Sequence, residues 1–334
     1  MVGLVHEYRG GVLENVHPGR ICVVDDTGRV IYTAGDAGVM TYFRSASKPL
    51  QVLPVIVHGL DKKYGLSEKE LTILAASHSG EPMHMEALTS LLEKTGFTED
   101  DLIMLPTYPD NTKARHDALR DSLPPRKLFH NCSGKHIGAM MLEEFLTGSH
   151  LDYWKPGSAA QKEITEAISY MTSTPVDDIA TGVDGCGVPV FAVPQKNIAL
   201  AFMRLACPDK IAAPEMRAAA EKIVYHMNRN PLMIEGTGSL CSQFNQDKNV
   251  IAKGGAQGVY AFGLKKERLG IAIKNEDGDE ASWPITIAEI LRQLNYDNPE
   301  TIAMLDKLAP ITVINDNQTE VGVKRPVFRL EPAV

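Results

Sequence analysis

Two serine–lysine pairings and two separated cysteines carry the chemistry this sequence can offer. In Phe43-Arg44-Ser45-Ala46-Ser47-Lys48-Pro49-Leu50, Ser45 and Lys48 stand three residues apart, and on a helix that spacing puts both on one face. A serine hydroxyl becomes a nucleophile when a base takes its proton, and a lysine with a lowered pKa can be that base. The apolar run from Leu50 to Val57 predicts that the helix is buried. Pro49 confines the pair to the first turn, where proline is tolerated. The plain structural role is that Ser45 or Ser47 caps the helix.

A second lysine could join them. Lys253-Gly254-Gly255 closes a predicted strand, and from an edge strand Lys253 could face Ser77 across a cleft. The glycines beside it would let a substrate approach the backbone. Ser-x-x-Lys and a Lys-Thr-Gly strand are paired in penicillin-recognising enzymes, although the middle residue here is glycine. Without further context, a surface lysine before a glycine turn is the simpler reading of Lys253.

Cys132 and Lys135 are three apart at a predicted helix start, and Cys186 lies in the glycine-dense turn Gly182-Val183-Asp184-Gly185-Cys186-Gly187-Val188-Pro189. Two thiolates and a nitrogen could hold zinc. His136 is the nitrogen that ordinary coordination chemistry selects, since a lysine, with a free pKa of about 10.4, must first lose its proton. Spacing alone favours the other reading, two buried packing cysteines.

These residues need positioning elements. Ile21–Val24 and Val30–Tyr32 read as strands around the turn Asp25-Asp26-Thr27-Gly28. Ser67-Glu68-Lys69-Glu70 is a capping box opening a helix that ends near Ser77–Gly80. Glu81-Pro82 opens another that stops at Gly96. Residues 104–130 form the longest irregular segment, of the kind used as lids or binding loops. A helix follows Asn131–His136 and ends near Gly148. Two more are expected from Ser158-Ala159-Ala160-Gln161 and Thr174-Pro175-Val176-Asp177, and others at about 195–206, 214–228 and 284–295. Strands recur at 250–252, 259–262 and 269–273. The expected fold is α/β (α+β): a mixed sheet of N- and C-terminal strands flanked by helices. Residues 1–334 are expected to form one catalytic unit, with a helical middle portion, about 43–230, inserted between the sheet segments.

Bulk composition excludes several functions. The 334 residues are 44% hydrophobic and 23% charged, with a net charge of −8 and 6% aromatics, as in an ordinary globular protein. No basic stripe is present, so no nucleic-acid partner is expected, and no apolar run approaches a membrane span. The N-terminus has no cationic start followed by an apolar core. Five cysteines make an odd, sparse set, which predicts a reducing cytoplasmic setting rather than a disulfide framework.

Six blocks together resemble one family over nearly the whole chain. They are Arg9-Gly10-Gly11 with Glu14–His17, Arg44–Pro49, Ser77-His78-Ser79-Gly80-Glu81, His130–His136, Val183–Gly187 and Lys253-Gly254-Gly255-Ala256-Gln257-Gly258. Their order and spacing are similar to those of the rhizobial-type, or class 3, L-asparaginases, the asparaginase II family. The resemblance implies a fold related to serine β-lactamases and glutaminases, a homodimer, and hydrolysis of L-asparagine to L-aspartate and ammonia. By the same resemblance, Ser45 with Lys48 and Ser77 with Lys253 are the catalytic pairs. Cys132, Lys135 and Cys186 are then the zinc ligands, which displaces His136 from that role. Residues 98–130 match only loosely, and Ala256-Gln257 stands where many relatives have Ala-Glu. An amino-acid substrate needs a fixed cation and a fixed anion, and Arg44 and Asp184 are the expected anchors, with His136 beside them. The rival readings are a glutaminase or penicillin-recognising serine hydrolase, and a zinc-stabilised binding protein whose serines are caps.

Overall fold

The computed structural model describes residues 1–333. Its main sheet is built from the two ends of the chain. The hydrogen-bonded order is Thr312–Ile314, Glu320–Pro326, Val2–Arg9, Val12–Val24, Leu269–Asn275, Val259–Leu264 and Val250–Gly255, with Val30–Ala34 and Glu331–Pro332 joined beside Val12–Val24. The sheet expected to be mixed is antiparallel at every pairing. Its sequence neighbours are hairpins, and a hairpin can only return antiparallel.

The strand Val12–Val24 organises the sheet by changing partners. Its first half pairs with Val2–Arg9, and from Gly19 onward it pairs with Leu269–Asn275, with Gly19 opposite Asn275 and Val24 opposite Gly270. The first half, Val12–Val16, is exposed although it carries Val12, Leu13 and Val16, whereas Ile21–Val24 is buried. Val250–Gly255 and Val259–Leu264 are buried throughout, which explains why both read as continuous apolar runs. The helix Gln195–Ala206 covers them. It comes so close that a Cβ on Gly263 or Gly270 would overlap the carbonyl oxygen of Phe202 or Ala199.

Between the sheet segments lies the mostly helical middle. Ser67 accepts from the Glu70 N–H while the Glu70 carboxylate accepts from the Ser67 N–H, so the expected capping box is present on helix Glu68–Leu74. Helices Pro82–Thr95 and Ser133–Thr147 end on left-handed Gly96 and Gly148, the common helix stop. Two expectations need correction. Residues 104–130 are not wholly irregular, because Asn111 caps a short helix, Thr112–Arg120. Thr174-Pro175-Val176-Asp177 opens only a single 3-10 turn, Val176–Asp178. The chain then enters a strand, Ala180–Val183, that pairs with Pro189–Pro194 in a second, three-stranded sheet with Met40–Tyr42. The glycine-dense segment is the turn of that hairpin, closed by Asp184 N–H donating to Val188 O at 2.9 Å and Gly187 N–H to Asp184 O at 2.9 Å.

Candidate active site

Two lysines from distant elements converge on one hydroxyl. Lys48 Nζ and Lys253 Nζ each donate to Ser77 Oγ at 2.9 Å. Lys48 also donates to Ala76 O at 2.7 Å and Asn131 O at 3.2 Å, and Lys253 to Gly254 O at 2.8 Å. Both lysines are fully buried, and every one of these acceptors is a neutral oxygen. Burial is the main reason that the Lys48 pKa falls to about 8; Cys132 opposes the shift, and the positive charges of Lys135 and Lys253 add to it.

Ser45 lies close by in a different state. It sits half-buried in the 3-10 turn Arg44–Ser47 rather than in an α-helix, which begins only at Lys48. The Lys48 backbone N–H donates to Ser45 O, but among the described residues no hydrogen bond joins the Ser45 hydroxyl to the Lys48 amine, which is turned toward Ser77, Ala76 and Asn131. In the first turn of such a helix the backbone donors have no partner within it, so the Ser45 N–H stands beside its own hydroxyl. The strand bearing Lys253 closes on this turn. A Cβ on Gly255 would come within 2.6 Å of Phe43 O and 3.1 Å of Ala46 N, so glycine is what allows the approach.

Arg44 and Asp184, expected to bind opposite ends of a substrate, are bonded to each other. Arg44 Nε lies 3.0 Å and Nη2 2.9 Å from Asp184 Oδ1. Arg44 holds a left-handed backbone with φ 48°, a conformation that costs a non-glycine residue of order 1 kcal/mol or more. The second carboxylate oxygen faces a thiol cluster, 3.7 Å from Lys135 Nζ and 3.9 Å from Cys186 Sγ.

Within that cluster Cys132 and Cys186 are buried and free, and the Cys132 thiol donates to Asn131 Oδ1 at 3.2 Å. Lys135 Nζ donates to Cys186 Sγ at 3.1 Å. Interaction with the neighbouring Cys186 thiol holds Cys132 well below the usual thiol range, with Lys48 and Lys135 adding to the effect, and the same interaction pushes Cys186 up. Burial works to lower the Lys135 pKa, yet Cys132, Cys186 and Asp184 outweigh it and keep the amine protonated. Among the described residues no group of three His, Cys, Asp or Glu side chains is arranged for a metal. The donors this cluster could offer a thiophilic ion such as zinc are the two buried thiols and the Lys135 amine once deprotonated.

His136 stands apart from the thiols. Its Nδ1 lies 2.8 Å from the Tyr153 hydroxyl, which also accepts the Ile103 N–H at 3.1 Å. With Nδ1 engaged by this hydroxyl, Nε2 is the ring atom left over. That atom is buried and has no partner among the described residues. Burial keeps the ring neutral.

The structure thus brings Ser77, Lys48 and Lys253 into direct contact, sets Ser45 against the Lys253 strand, and links Arg44 through Asp184 to Cys186 and Lys135. Sequence reasoning missed the carbonyls of Ala76 and Asn131 that anchor Lys48, since backbone acceptors leave no mark in residue type. It also missed Glu81 as a four-donor acceptor, although the residue was in plain view beside Ser77.

Residues 5–326 match the family described as L-asparaginase II. The chain belongs to that family. Membership places it among enzymes that hydrolyse amides. No curated protein matches it. Solved structures that match it include Mglu in its glutamate form, 17% identical, with 84% of this chain and 62% of that chain covered and a TM-score of 0.38. A β-lactamase from Mycobacterium bovis is 14% identical, with 83% and 95% covered and a TM-score of 0.41. A Bacillus glutaminase is 14% identical, with 83% and 91% covered and a TM-score of 0.39. The asparaginase II chain spans less than two thirds of the length of Mglu. Among its described residues no helix is long and apolar enough to cross a membrane.

Proposed function

We propose that the protein hydrolyses L-asparagine to L-aspartate and ammonia through a serine acyl-enzyme. The observation that carries this is the Ser77 hydroxyl held at 2.9 Å by both Lys48 and Lys253, in a member of an amide-hydrolysing family. In this reading Ser45 Oγ attacks the side-chain amide carbon. Its proton passes to neutral Lys48, by way of Ser77, and from there to the departing nitrogen as the C–N bond breaks and ammonia leaves. Water then cleaves the aspartyl ester, with the Ser77–Lys253 pair taking its proton, and Ser45 is restored. The Ser45 N–H and the turn after Gly255 supply donors for the carbonyl oxygen as it gains charge.

Arg44 and Asp184 anchor the α-carboxylate and α-ammonium, and His136 Nε2, buried without a partner among the described residues, is a further polar contact. Cys132, Lys135 and Cys186 would hold zinc, whose charge would organise the loops that carry these anchors. Loading zinc requires Lys135 to shed its proton, so the ion replaces the ammonium that now balances the thiols.

A second reading is favoured by one observation: it is Ser77, not Ser45, that both amines touch. If Ser77 is the nucleophile, a trapped acyl adduct read by mass spectrometry falls on its peptide; in the first reading the adduct falls on the peptide holding Ser45. Ammonia release from asparagine and glutamine, with and without a chelator, tests the function itself. Asparagine should be the better substrate, and Ser45→Ala should abolish release with circular dichroism unchanged. Absence of release from either amide, or hydrolysis of a β-lactam in its place, would overturn the proposal.

A further inference from the structure

We infer that Glu81 is a positioning residue that sets Ser77 between its two lysines. The inference rests on the reading that Ser77 takes part in catalysis. The loop carrying Ser77, between helices Glu68–Leu74 and Pro82–Thr95, has no regular structure of its own, so its geometry must come from outside. Asn111 N–H donates to Ser79 O at 2.8 Å and His78 Nε2 meets Ser133 Oγ at 2.8 Å; the segment Leu232–Thr237 supplies a further set of contacts. Ser77 N–H donates to Ile234 O at 2.8 Å, and the His84 ring bridges Glu81 N–H (3.1 Å) to Leu232 O (3.0 Å).

The Glu81 carboxylate completes the junction. Oε1 accepts Thr237 N–H at 2.7 Å, Ser79 Oγ–H at 3.1 Å and Asn111 Nδ2–H at 3.3 Å, while Oε2 accepts Thr237 Oγ1–H at 2.8 Å. Three separate stretches of chain meet on one side chain. The contact is tight enough that position 236 must be glycine: with φ 101° its backbone is left-handed, and a Cβ would overlap both Ser79 Oγ and Glu81 Oε1. An ionised carboxylate receiving several donors is the strong form of this bond.

The far side of the junction reaches Lys253. Glu235 accepts the Cys241 N–H at 3.0 Å, and Cys241 Sγ accepts the Gly254 N–H at 3.1 Å. The segment gripped by Glu81 therefore rests on the strand that presents Lys253. Glu81 joins the support of the hydroxyl to the support of one of its amines. It touches neither, and its role is carried by distance alone.

The test is Glu81→Gln, which keeps the shape but sets an amide N–H2 against donors. The expected result is a fall of at least 10-fold in kcat for ammonia release from asparagine, with KM changed less than about 2-fold. The milder Thr237→Val, at an exposed position, should act in the same direction, and the double variant should be no worse than Glu81→Gln alone, because both break one junction. A second readout needs no substrate. In protein labelled with 15N-lysine, Glu81→Gln should move the Lys48 titration midpoint by about half a unit or more, since its hydroxyl partner has shifted. Should the wild type release no ammonia, the functional reading fails and this titration still decides. An unchanged Lys48 midpoint in a folded variant, or a kcat equal to wild type where the wild type is active, would overturn the inference.

Discussion

Lys48→Met is expected to lower kcat for ammonia release about 1000-fold, the scale of losing a general base, with KM within a few-fold of wild type. Methionine fills the space of the buried stem, so the loss falls on the amine. That amine sits where Ser77 Oγ, Ala76 O and Asn131 O meet, and among the described residues Lys253 is the other base bonded to Ser77. The pH profile supplies the second half of this prediction. Lys48 works as a base only when neutral, and burial lowers its pKa to about 8. Activity should therefore climb as pH rises through that value and level off above it, not fall. In the methionine variant the rising limb should vanish, with the residual rate nearly flat. A profile that keeps its limb near pH 8 without Lys48 would assign the titration to another group and remove Lys48 from the base role. Stability should change little by comparison. Leaving Ala76 O and Asn131 O without a donor costs about 1–3 kcal/mol, and relief of a buried amine works against that loss.

Much of this arrangement could be read from the sequence wherever a local rule was strong. The Ser67 capping box, the Pro82–Gly96 helix and the strands at 21–24, 30–32 and 250–273 follow from residue type and spacing; the meeting of Lys253 with Ser77 was expected only from the resemblance, since spacing favoured a surface lysine. What could not be read depended on contacts between distant segments. Lys48 and Ser45 have the spacing of a pair, but three acceptors on the Ser77 side draw the amine away, and two of them are carbonyls that any residue would supply. Arg44 and Asp184 were legible as polar anchors, 140 positions apart in the chain; their pairing was not, because it depends on the hairpin that carries Asp184 folding over the Arg44 turn. That hairpin was itself hidden. Thr174-Pro175 carries a helix-start signal, yet the segment that follows, Ala180–Val183, finds a strand partner in Pro189–Pro194. A partner of that kind overrides a local preference worth only a few tenths of a kcal/mol per residue. Spacing and coordination chemistry alone preferred His136 as the nitrogen of the thiol cluster, and only the resemblance pointed to Lys135. Tyr153 takes His136 out of the cluster, and only then is Lys135 left beside Cys186.

Gly134→Ala should destabilise the protein by about 2 kcal/mol or more, against the usual sign for this exchange. Inside a helix, alanine ordinarily gains up to about 1 kcal/mol over glycine. Gly134 lies in the first turn of Ser133–Thr147, pressed on the last turn of Glu68–Leu74, where a Cβ would overlap the Ile73 carbonyl oxygen and come within 2.8 Å of its carbon. Both are backbone atoms, with no side chain that could swing aside, so the two helices must separate. The damage would also be functional, because these helix ends carry the two halves of the site. Cys132 and Lys135 flank Gly134, Ser77 follows Ile73, and Lys48 ties them together through Asn131 O at 3.2 Å and Ala76 O at 2.7 Å. Separation by even a few tenths of an ångström lengthens one of those bonds. Urea unfolding should show a lower midpoint with an unchanged slope, and kcat should fall in the folded variant at low denaturant. A midpoint equal to or above wild type would mean that the two helices do not pack at this distance, and the anchoring of Lys48 would have to be drawn differently.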